Sequence, residues 1–570
     1  MFDALFTTTT EYKKLSHALS GKGACALFGL PASGRAQVYA ALCRQLDKPL
    51  CIVTPGEAEA TRFAADLNTL GIPAAVFPAR DYVLRPIEGT AREYEYRRLA
   101  VLGELVGGRL RAVAVPAEAL TQFTTPKEDF CANTRTLHAG DTLLRDDLLA
   151  ALFGAGYTRR AQVDGPGQFS VRGDIVDIFA PDQKMPVRME FWGDEIDTLH
   201  TFDLTTQRRE DAIDKFYLSP AREVLFGKPA DAAEQLRAFL AKQRGKKKTA
   251  MTDCMAADLD LLDGGAVPVN MDKYLAVRYP HPATVLDYFD DPILVAEEPA
   301  SIREADRATA YRRGEELKSL ILDGVLCAGL DNLYADPSYL WSKTGHYRTI
   351  CAENFARSMP DQPLKDIINA PAHTLPAWNG EVAGLLEDLK PLCDAGYTVT
   401  LLAGTDRAAA GLARDLRDKG ILVTTDAAAA PAAGLVQVLA GHLSAGCEFP
   451  FAKYALLTGR AFGETSSQKK KRKKAKDALN SLTEITPGDL VVHQNHGIGR
   501  YAGIQRMAVQ GVTKDYLRIE YDKKDVLYVP VTQLDLLSRY TAPGDSENVK
   551  LSRLGGAEWT KTRKKVRAAT

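Results

Sequence analysis

The chain has 570 residues, of which 45% are hydrophobic and 25% are charged, with a formal net charge of −1. This is the composition of a globular protein of roughly three to five domains, and no apolar run approaches the roughly 18 residues of a membrane span. Nine scattered cysteines without a C-x-x-C pair argue against a disulfide framework and a cysteine-type zinc site. Because the N-terminus also lacks a signal-peptide pattern, we expect a cytoplasmic location and no membrane segment.

Strand and helix signals alternate in the first part of the chain. Short buried strands are predicted at 24–30, 50–54, 74–77 and 112–115, with amphipathic helices at 36–46, 57–70 and 92–105. This alternation predicts a parallel sheet with crossover helices. The first strand-to-helix turn, residues 29–36, has the glycine spacing of a nucleotide-binding P-loop, G-x-x-x-x-G-K-[ST].

Two residues of this turn depart from the P-loop motif. Arg35 stands where the phosphate-binding lysine is required, and Ala36 stands where a hydroxyl would ligate Mg²⁺. The turn is either an ordinary glycine-rich turn or a degenerate nucleotide loop formed by Gly29, Gly34, Arg35 and Ala36, and its place between a strand and a helix favours the second. An active ATPase that uses Arg35 instead of lysine is a weaker alternative, because arginine does not replace a compact lysine charge in a backbone cradle.

Residues 119–219 are rich in β-strand signals. Val187, Met189 and Phe191 alternate with Arg188, Glu190 and Trp192, which is the pattern of a strand with one buried face. We therefore predict an antiparallel sheet inserted into the first α/β unit. Its arginines lie among aromatic residues, an arrangement typical of protein–protein hot spots, although an ordinary solvated sheet face is the alternative.

The rest of the chain divides into four further segments. After residue 220 the α/β pattern returns, and a predicted strand at 293–297 ends in Glu297-Glu298, as a Walker B strand would. Residues 346–460 give another α/β pattern without a P-loop. A basic run at 469–476 is either a solvated linker or a patch that attracts DNA. Short strands with glycine turns between 484 and 541 predict a small β-barrel, and the residues from 557 are helical and basic.

These features together resemble the Mfd family of bacterial transcription-repair coupling factors. The first set of residues that carry the resemblance is similar to the UvrB-like module of that family: the Gly29 to Gly34 turn, Phe77-Pro78-Ala79-Arg80-Asp81-Tyr82, Val171-Arg172-Gly173-Asp174-Ile175-Val176-Asp177-Ile178-Phe179 and Leu286-Asp287-Tyr288-Phe289. The second set is similar to its CarD-like domain that interacts with RNA polymerase: Val491-Val492-His493, His496-Gly497-Ile498-Gly499-Arg500-Tyr501, Leu527-Tyr528-Val529-Pro530-Val531 and Leu537-Ser538-Arg539-Tyr540.

The resemblance implies a multidomain α/β protein. Its expected parts are a degenerate P-loop, helicase-like (UvrB-like) module (1–118 with 220–345), an inserted antiparallel β-rich UvrA-binding domain (119–219), a middle α/β domain (346–460), a basic linker (461–483), a small CarD/Tudor-like β-barrel that interacts with RNA polymerase (484–545) and the start of a helical connection to a motor (546–570).

The function that the resemblance implies is transcription-coupled repair. The chain would act as a monomer that binds the β subunit of RNA polymerase and recruits UvrA. ATP-driven movement on double-stranded DNA, with ATP and Mg as cofactors, is expected to belong to a motor beyond this chain, because no intact P-loop motif occurs in it. We therefore expect no catalytic residue and no cofactor here. A stand-alone regulator that binds RNA polymerase or DNA is the alternative.

Two sets of contact residues follow from the resemblance. The expected UvrA contacts are Arg159, Arg172, Phe179 and Arg188. The expected RNA polymerase contacts are Tyr501, Ile504, Arg506, Met507 and Val509, on an apolar strand that we predict to lie at a sheet edge, where a partner strand can pair.

A histidine pair in a glycine-rich turn is a further candidate site. His493 and His496 are spaced i, i+3, but no cysteine or carboxylate lies beside them in the sequence. We therefore expect structural hydrogen bonds from them, and a metal site is the weaker alternative.

Overall fold

The computed structural model describes residues 3–86, 92–355, 363–378, 382–459, 487–493, 496–509, 512–522, 525–530, 537–539 and 551–553. The predicted basic linker at 461–483 and the predicted helical tail from 557 lie outside the described residues. In the described part of the chain, no helix combines the length and the apolar character that a membrane span requires.

The described strands and helices are as follows. The strands, in chain order, are β1 Gly23–Phe28, β2 Leu50–Thr54, β3 Ala74–Val76, β4 Ala112–Pro116, β5 Arg135–His138, β6 Thr158–Arg159, β7 Gln168–Arg172, β8 Ile175–Phe179, β9 Val187–Trp192, β10 Glu195–Phe202, β11 Arg209–Ala212, β12 Lys215–Leu218, β13 Ile293–Glu297, β14 Arg348–Glu353, β15 Leu364–Asn369, β16 His373–Leu375, β17 Thr398–Leu402, β18 Val423–Thr424, β19 Val436–Leu439, β20 Gly446–Phe449, β21 Tyr454–Thr458, β22 Leu490–His493, β23 Gly497–Val509, β24 Val512–Glu520, β25 Val526–Pro530 and β26 Leu537–Arg539. The α-helices are α1 Asp3–Thr7, α2 Thr10–Ala18, α3 Ala32–Leu46, α4 Glu57–Thr69, α5 Glu93–Val106, α6 Ala117–Leu120, α7 Lys127–Ala132, α8 Arg145–Gly154, α9 Pro229–Ala241, α10 Gly245–Asp263, α11 Leu275–Arg278, α12 Pro299–Leu322, α13 Tyr339–Lys343, α14 Val382–Asp394 and α15 Asp406–Asp418.

The first sheet is parallel. Among the described residues it has seven strands in the order β15-β1-β14-β13-β2-β4-β3, and every pairing is parallel. Its central strands are almost wholly apolar because helices and loops cover both faces. Strand β1 pairs with both β14 and β15, so the sheet continues past the module boundary that the sequence predicts at residue 345.

The inserted domain is built on a second sheet. Its described strands follow the order β11-β10-β9-β8-β7-β6, and all neighbours are antiparallel except β6 and β7. Val187, Met189 and Phe191 point to one face, where Leu148 and Leu152 of α8 join them in a buried core. The alternate positions of β9 face the opposite side, as the period of two requires.

A buried ionic network joins the chain segments on either side of the inserted domain. Arg98 is fully buried, and its Nε lies 2.6 Å from Oε1 of Glu223. Arg80 donates to both carboxylate oxygens of Asp272, at 2.7 and 3.0 Å, and its Nε lies 3.2 Å from Glu223. Buried charges of this kind are tolerated because each is paired and hydrogen-bonded. The network fixes where the inserted domain leaves the first module and returns to it.

The middle domain packs directly on the first module. Its sheet has the described order β16-β20-β21-β17-β19-β18, with α15 packed on it through Ala409, Leu412 and Leu416 at helical spacing. The ring of Phe6 in α1 meets Phe449 edge to face at a centroid distance of 4.9 Å. The two domains therefore share one apolar core.

The C-terminal unit is an antiparallel sheet. Its described strands follow the order β25-β24-β23-β22-β26, around a small core that includes Val491, Leu517 and Val529. No pairing between the two outer strands is present among the described residues, so the closed barrel remains a prediction. The unit contacts the first module through His496, whose Nε2 lies 3.2 Å from Oε1 of Glu93.

Candidate functional sites

The glycine-rich turn at 29–36, predicted to be a degenerate nucleotide loop, lies between β1 and the start of α3. Gly29 has φ = +87°, a left-handed conformation that favours glycine. A Cβ at this position would also lie 3.1 Å from the carbonyl oxygen of Ala370. The glycine is thus required by the turn and by the close approach of the chain that follows β15.

Arg35 is held inside the protein by acidic residues at the end of β13. Its Nε lies 3.1 Å from Oε2 of Glu297, and its Nη1 donates to Oε1 of Glu298 at 2.9 Å. The hydroxyl of Tyr39 donates to Oε1 of Glu297 at 2.6 Å. Burial raises the pKa of Glu297, and the charge of Arg35 opposes that effect. The charge of Arg35 is therefore paired with the carboxylates of Glu297 and Glu298 at the end of β13.

The middle domain packs against the first turn of α3. A Cβ at Gly34 would lie 2.8 Å from Sγ of Cys447 and 3.4 Å from the ring of Phe449, both on β20. Ala36 is fully buried in the shared apolar core. A P-loop binds phosphate with the open N-terminal turn of its helix. Here side chains of β20 cover that turn, a feature that the sequence pattern of residues 29–36 does not reveal.

The inserted domain carries an ionic cluster on the face opposite its core. Asp177 in β8 is fully buried and accepts hydrogen bonds from two arginines. Nη2 of Arg172 lies 2.6 Å from its Oδ2, while Arg188 donates from Nε to Oδ1 at 2.7 Å and from Nη2 to Oδ2 at 2.9 Å. Asp177 was not among the predicted contact residues, although an acidic residue within an otherwise apolar strand, flanked by strands that carry arginines, is a readable signal.

The four expected UvrA contacts differ in how they reach solvent. Arg159 is exposed, and the side chain of Arg172 is 48% exposed. Phe179 is buried in a cluster with Phe202, and the guanidinium of Arg188 lies 4.7 Å above the centroid of the Phe202 ring. Two of the four residues are thus accessible to a partner, and two form the layer beneath.

Arg159 also lines a cleft between the inserted domain and the first module. The cleft has a volume of about 790 Å³, and Arg92, Arg222 and Lys228 lie along it. The cleft is therefore lined by basic residues of both the inserted domain and the first module. Arg172 is not among the residues that line this cleft, so the two exposed arginines lie in different surroundings.

The expected RNA polymerase contacts lie on β23. Tyr501 is buried in the core of the sheet, whereas Ile504 is 45% exposed. Arg506, Met507 and Val509 lie in the strand, but their side chains are outside the described structure. Strand β24 pairs with β23 as far as Val509, while β22 and the residues before it pair only as far as Tyr501. Beyond Tyr501, β23 has no second neighbour among the described strands.

The two histidines, His493 and His496, lie next to a carboxylate that their local sequence does not contain. The sequence shows no carboxylate beside His493 and His496, but Glu93 of α5, 403 residues before His496, lies against them. One ligand atom from each of the three residues lies within 4.8 Å of the others. The local sequence could not reveal this carboxylate, because it comes from another domain.

Two family models match the chain. The UvrB interaction domain matches residues 136–224, and the CarD-like/TRCF RID domain matches residues 485–541. The transcription-repair-coupling factor of Bacillus subtilis (strain 168) is 28% identical over 555 residues, which is 95% of this chain and 47% of the relative. That of Staphylococcus haemolyticus (strain JCSC1435) is 28% identical over 556 residues, 94% of this chain and 47% of the relative.

This chain is similar to transcription-repair-coupling factors over nearly its whole length, and it carries a UvrB interaction domain and a CarD-like/TRCF RID domain. A third such factor, from Staphylococcus aureus (strain MRSA252), is 26% identical over 552 residues. The chain spans about half the length of the coupling factors that it matches. Within it, the UvrB interaction domain coincides with the sheet that carries Asp177, and the CarD-like/TRCF RID domain coincides with the sheet that carries β23.

Proposed function

We propose that this chain is a two-partner adaptor of transcription-coupled DNA repair. The inserted domain binds UvrA, and the C-terminal sheet binds the β subunit of RNA polymerase. The observation that carries the proposal is the presence, on two separate sheets of one chain, of a UvrB interaction domain and a CarD-like/TRCF RID domain. In the longer protein, an ATP-driven motor that moves on double-stranded DNA would displace a stalled polymerase, and the adaptor would then recruit UvrA to the lesion.

The arginine cluster of the inserted domain supports the UvrA-binding part of the proposal. Asp177 holds one end of Arg172 while nearly half of that side chain remains exposed. A guanidinium fixed in this way loses little conformational freedom when it pairs with a partner carboxylate or carbonyl. Arg188 shares Asp177 with Arg172, and Phe179 packs with Phe202, over which the Arg188 guanidinium lies. Both residues are assigned a positioning role. Arg159, on the rim of the basic cleft, extends the surface toward acidic groups of UvrA.

The open side of β23 supports the polymerase-binding part. From Ala502 onward, only β24 pairs with this strand among the described residues. An unpaired strand edge accepts a strand from a partner by main-chain hydrogen bonding, and alternate side chains then give specificity. Ile504 supplies an exposed apolar side chain on this strand. Arg506, Met507 and Val509 continue the same strand and are proposed to contact the polymerase with Ile504.

The filled nucleotide loop supports a role without ATP turnover in this part of the protein. The charge of Arg35 is taken up by Glu297 and Glu298, and side chains of β20 cover the helix N-terminus. An ATPase that uses residues 29–36 would have to break this ion pair and separate the two domains. The geometry therefore favours the adaptor over the ATPase.

Binding measurements with single variants test the proposal. Biolayer interferometry would give the Kd of the chain for UvrA and for the polymerase β subunit. Arg172→Ala should weaken UvrA binding by at least about tenfold and leave polymerase binding unchanged, whereas Ile504→Arg should do the converse.

Matched exposed positions serve as controls. Arg237→Ala removes a side chain that is 54% exposed on α9, and Leu422→Arg changes a residue that is 61% exposed in the middle domain. Neither control should alter either Kd. The adaptor would be contradicted if the unmodified chain bound neither partner, or if each variant weakened both interactions equally.

A further inference from the structure

A cluster of metal-ligating side chains joins the C-terminal sheet to the first module. His493 ends β22, His496 lies in the turn that follows, and Glu93 is the first residue of α5. Nε2 of His496 lies 3.2 Å from Oε1 of Glu93, and the centroids of the two imidazole rings are 4.6 Å apart. The three residues thus bring two nitrogen donors and one carboxylate to one point from two domains.

A second observation at the same place is the buried hydroxyl of Tyr521. The Tyr521 side chain is 2% exposed, and its hydroxyl has no hydrogen-bond partner among the described residues. Burial raises the pKa of Tyr521, and the Glu93 carboxylate is close enough to raise it further. A buried polar atom without a partner is costly, and a metal-bound water at this cluster would offer the hydroxyl a partner.

We propose that Glu93, His493 and His496 bind one divalent transition-metal ion of the zinc type, and that this ion clamps the C-terminal sheet to the first module. Two histidines and one glutamate form a ligand set that zinc uses with a fourth position open to water. The Tyr521 hydroxyl would hydrogen-bond that water. The inference is independent of the two partner-binding surfaces.

The distances fit this assignment with a small side-chain movement. Two ligands of a tetrahedral zinc ion are separated by about 3.3 Å, given metal–ligand bonds of about 2.0 Å. His496 and Glu93 already lie at 3.2 Å, with a proton between them that the metal would replace. All three ligand atoms lie within 4.8 Å of one another. The His496 side chain is 28% exposed and would turn toward the other two.

Metal titrations of the whole chain test the proposal. After treatment with a chelator, Zn²⁺ is titrated calorimetrically, and Co²⁺ is used as a spectroscopic probe in the same protein. The unmodified chain should bind one equivalent of Zn²⁺ with a Kd below the micromolar range. Co²⁺ should give visible d–d bands without the near-ultraviolet band of thiolate ligation, which separates this site from the cysteines.

Three variants assign the binding to the cluster. His496→Ala and the isosteric Glu93→Gln should each weaken Zn²⁺ binding by at least about a hundredfold, because each removes one of three ligands. His138→Ala, at an exposed histidine 3.5 Å from Asp141, is the control and should leave the site intact.

Thermal unfolding gives a readout that does not depend on the titration. Zn²⁺ should raise the Tm of the unmodified chain and of His138→Ala, and should not raise that of Glu93→Gln, because only a bound ion stabilises the folded state. Zn²⁺ binding that is absent, or that is unchanged in Glu93→Gln and His496→Ala, would overturn the proposal and leave the cluster as a hydrogen-bonded contact between domains.

Discussion

Arg35 and Glu297 form a buried ion pair at the place where a P-loop and a Walker B strand would jointly hold a metal–nucleotide complex. Nε of the arginine lies 3.1 Å from Oε2 of the glutamate, and both side chains are at most 3% exposed. In a nucleotide-binding protein these positions serve a ligand. Here the two side chains pair with each other, so their charges stabilise the contact between α3 and β13.

Removing one member of this pair should be costly. Arg35→Met leaves the Glu297 carboxylate buried beside the Tyr39 hydroxyl without its arginine partner, which should lower the free energy of unfolding by about 3 to 5 kcal/mol. The double variant Arg35→Met/Glu297→Leu replaces both charges with apolar groups and should recover most of the loss. Urea unfolding of the whole chain measures both. Equal stability of the single variant and the unmodified chain would contradict the account.

Restoring the missing P-loop residues should not restore nucleotide binding. In Arg35→Lys/Ala36→Thr the motif is complete, but Cys447 and Phe449 still pack against the N-terminal turn of α3. Calorimetric titration with Mg-ATP should therefore show no binding in the micromolar range for the unmodified chain or the double variant. Micromolar binding by either protein would show that the middle domain does not block the loop.

Gly34 is predicted to be required for the contact between the two domains. A Cβ there would lie 2.8 Å from Sγ of Cys447, so Gly34→Ala should cost about 1 to 3 kcal/mol through overpacking. Gly314, in α12, has no atom within 4 Å of its added Cβ other than its own helix backbone, and Gly314→Ala should stabilise by about 0.5 to 1 kcal/mol. Thermal unfolding should therefore give a lower Tm for Gly34→Ala and a higher Tm for Gly314→Ala than for the unmodified chain. A neutral Gly34→Ala variant would contradict the described packing.

Asp306 on α12 should make stability depend on pH. Burial raises the pKa of Asp306 to about 6, although the nearby Arg313 acts in the opposite direction. Since the carboxyl titrates near 4 in the unfolded chain, the folded state binds the proton more tightly. The contribution of this group is therefore complete below about pH 4 and is lost as the pH rises through about 6.

The variant Asp306→Asn isolates this effect from all other titrating groups. Its free energy of unfolding relative to the unmodified chain should rise by about 2 kcal/mol between pH 4 and pH 7.5. Chemical denaturation at a series of pH values measures the difference. A difference that stays constant across this range would show that Asp306 titrates normally in the folded chain.

The parts of the fold that follow from local pattern were predicted well from the sequence. Apolar runs separated by amphipathic helices indicated the parallel sheet, and strict alternation in Val187–Trp192 indicated a strand with one buried face. These patterns can be read locally, because the spacing of apolar residues within one strand or helix shows which face of that element is buried. The end of the first module was misplaced, because the addition of β14 and β15 to the sheet depends on pairing with β1 and leaves no mark near residue 345.

The sites were predicted only in part, for a related reason. The sequence singled out Arg35 and Glu297 separately, but their pairing depends on strand order in the sheet. Asp177 was missed because its two arginine partners lie on neighbouring strands. Glu93 could not be connected to His496, since the contact joins two domains. Contacts between distant residues are set by tertiary packing, which no local spacing encodes.

The most direct test of the adaptor is whether both partners bind one chain at the same time. Mass photometry of the chain mixed with UvrA and RNA polymerase would resolve the complexes by mass. The account predicts a species that contains all three proteins, and Arg172→Ala should reduce it to the complex of chain and polymerase. Mutually exclusive binding of UvrA and polymerase, or the absence of any complex with the unmodified chain, would contradict the account.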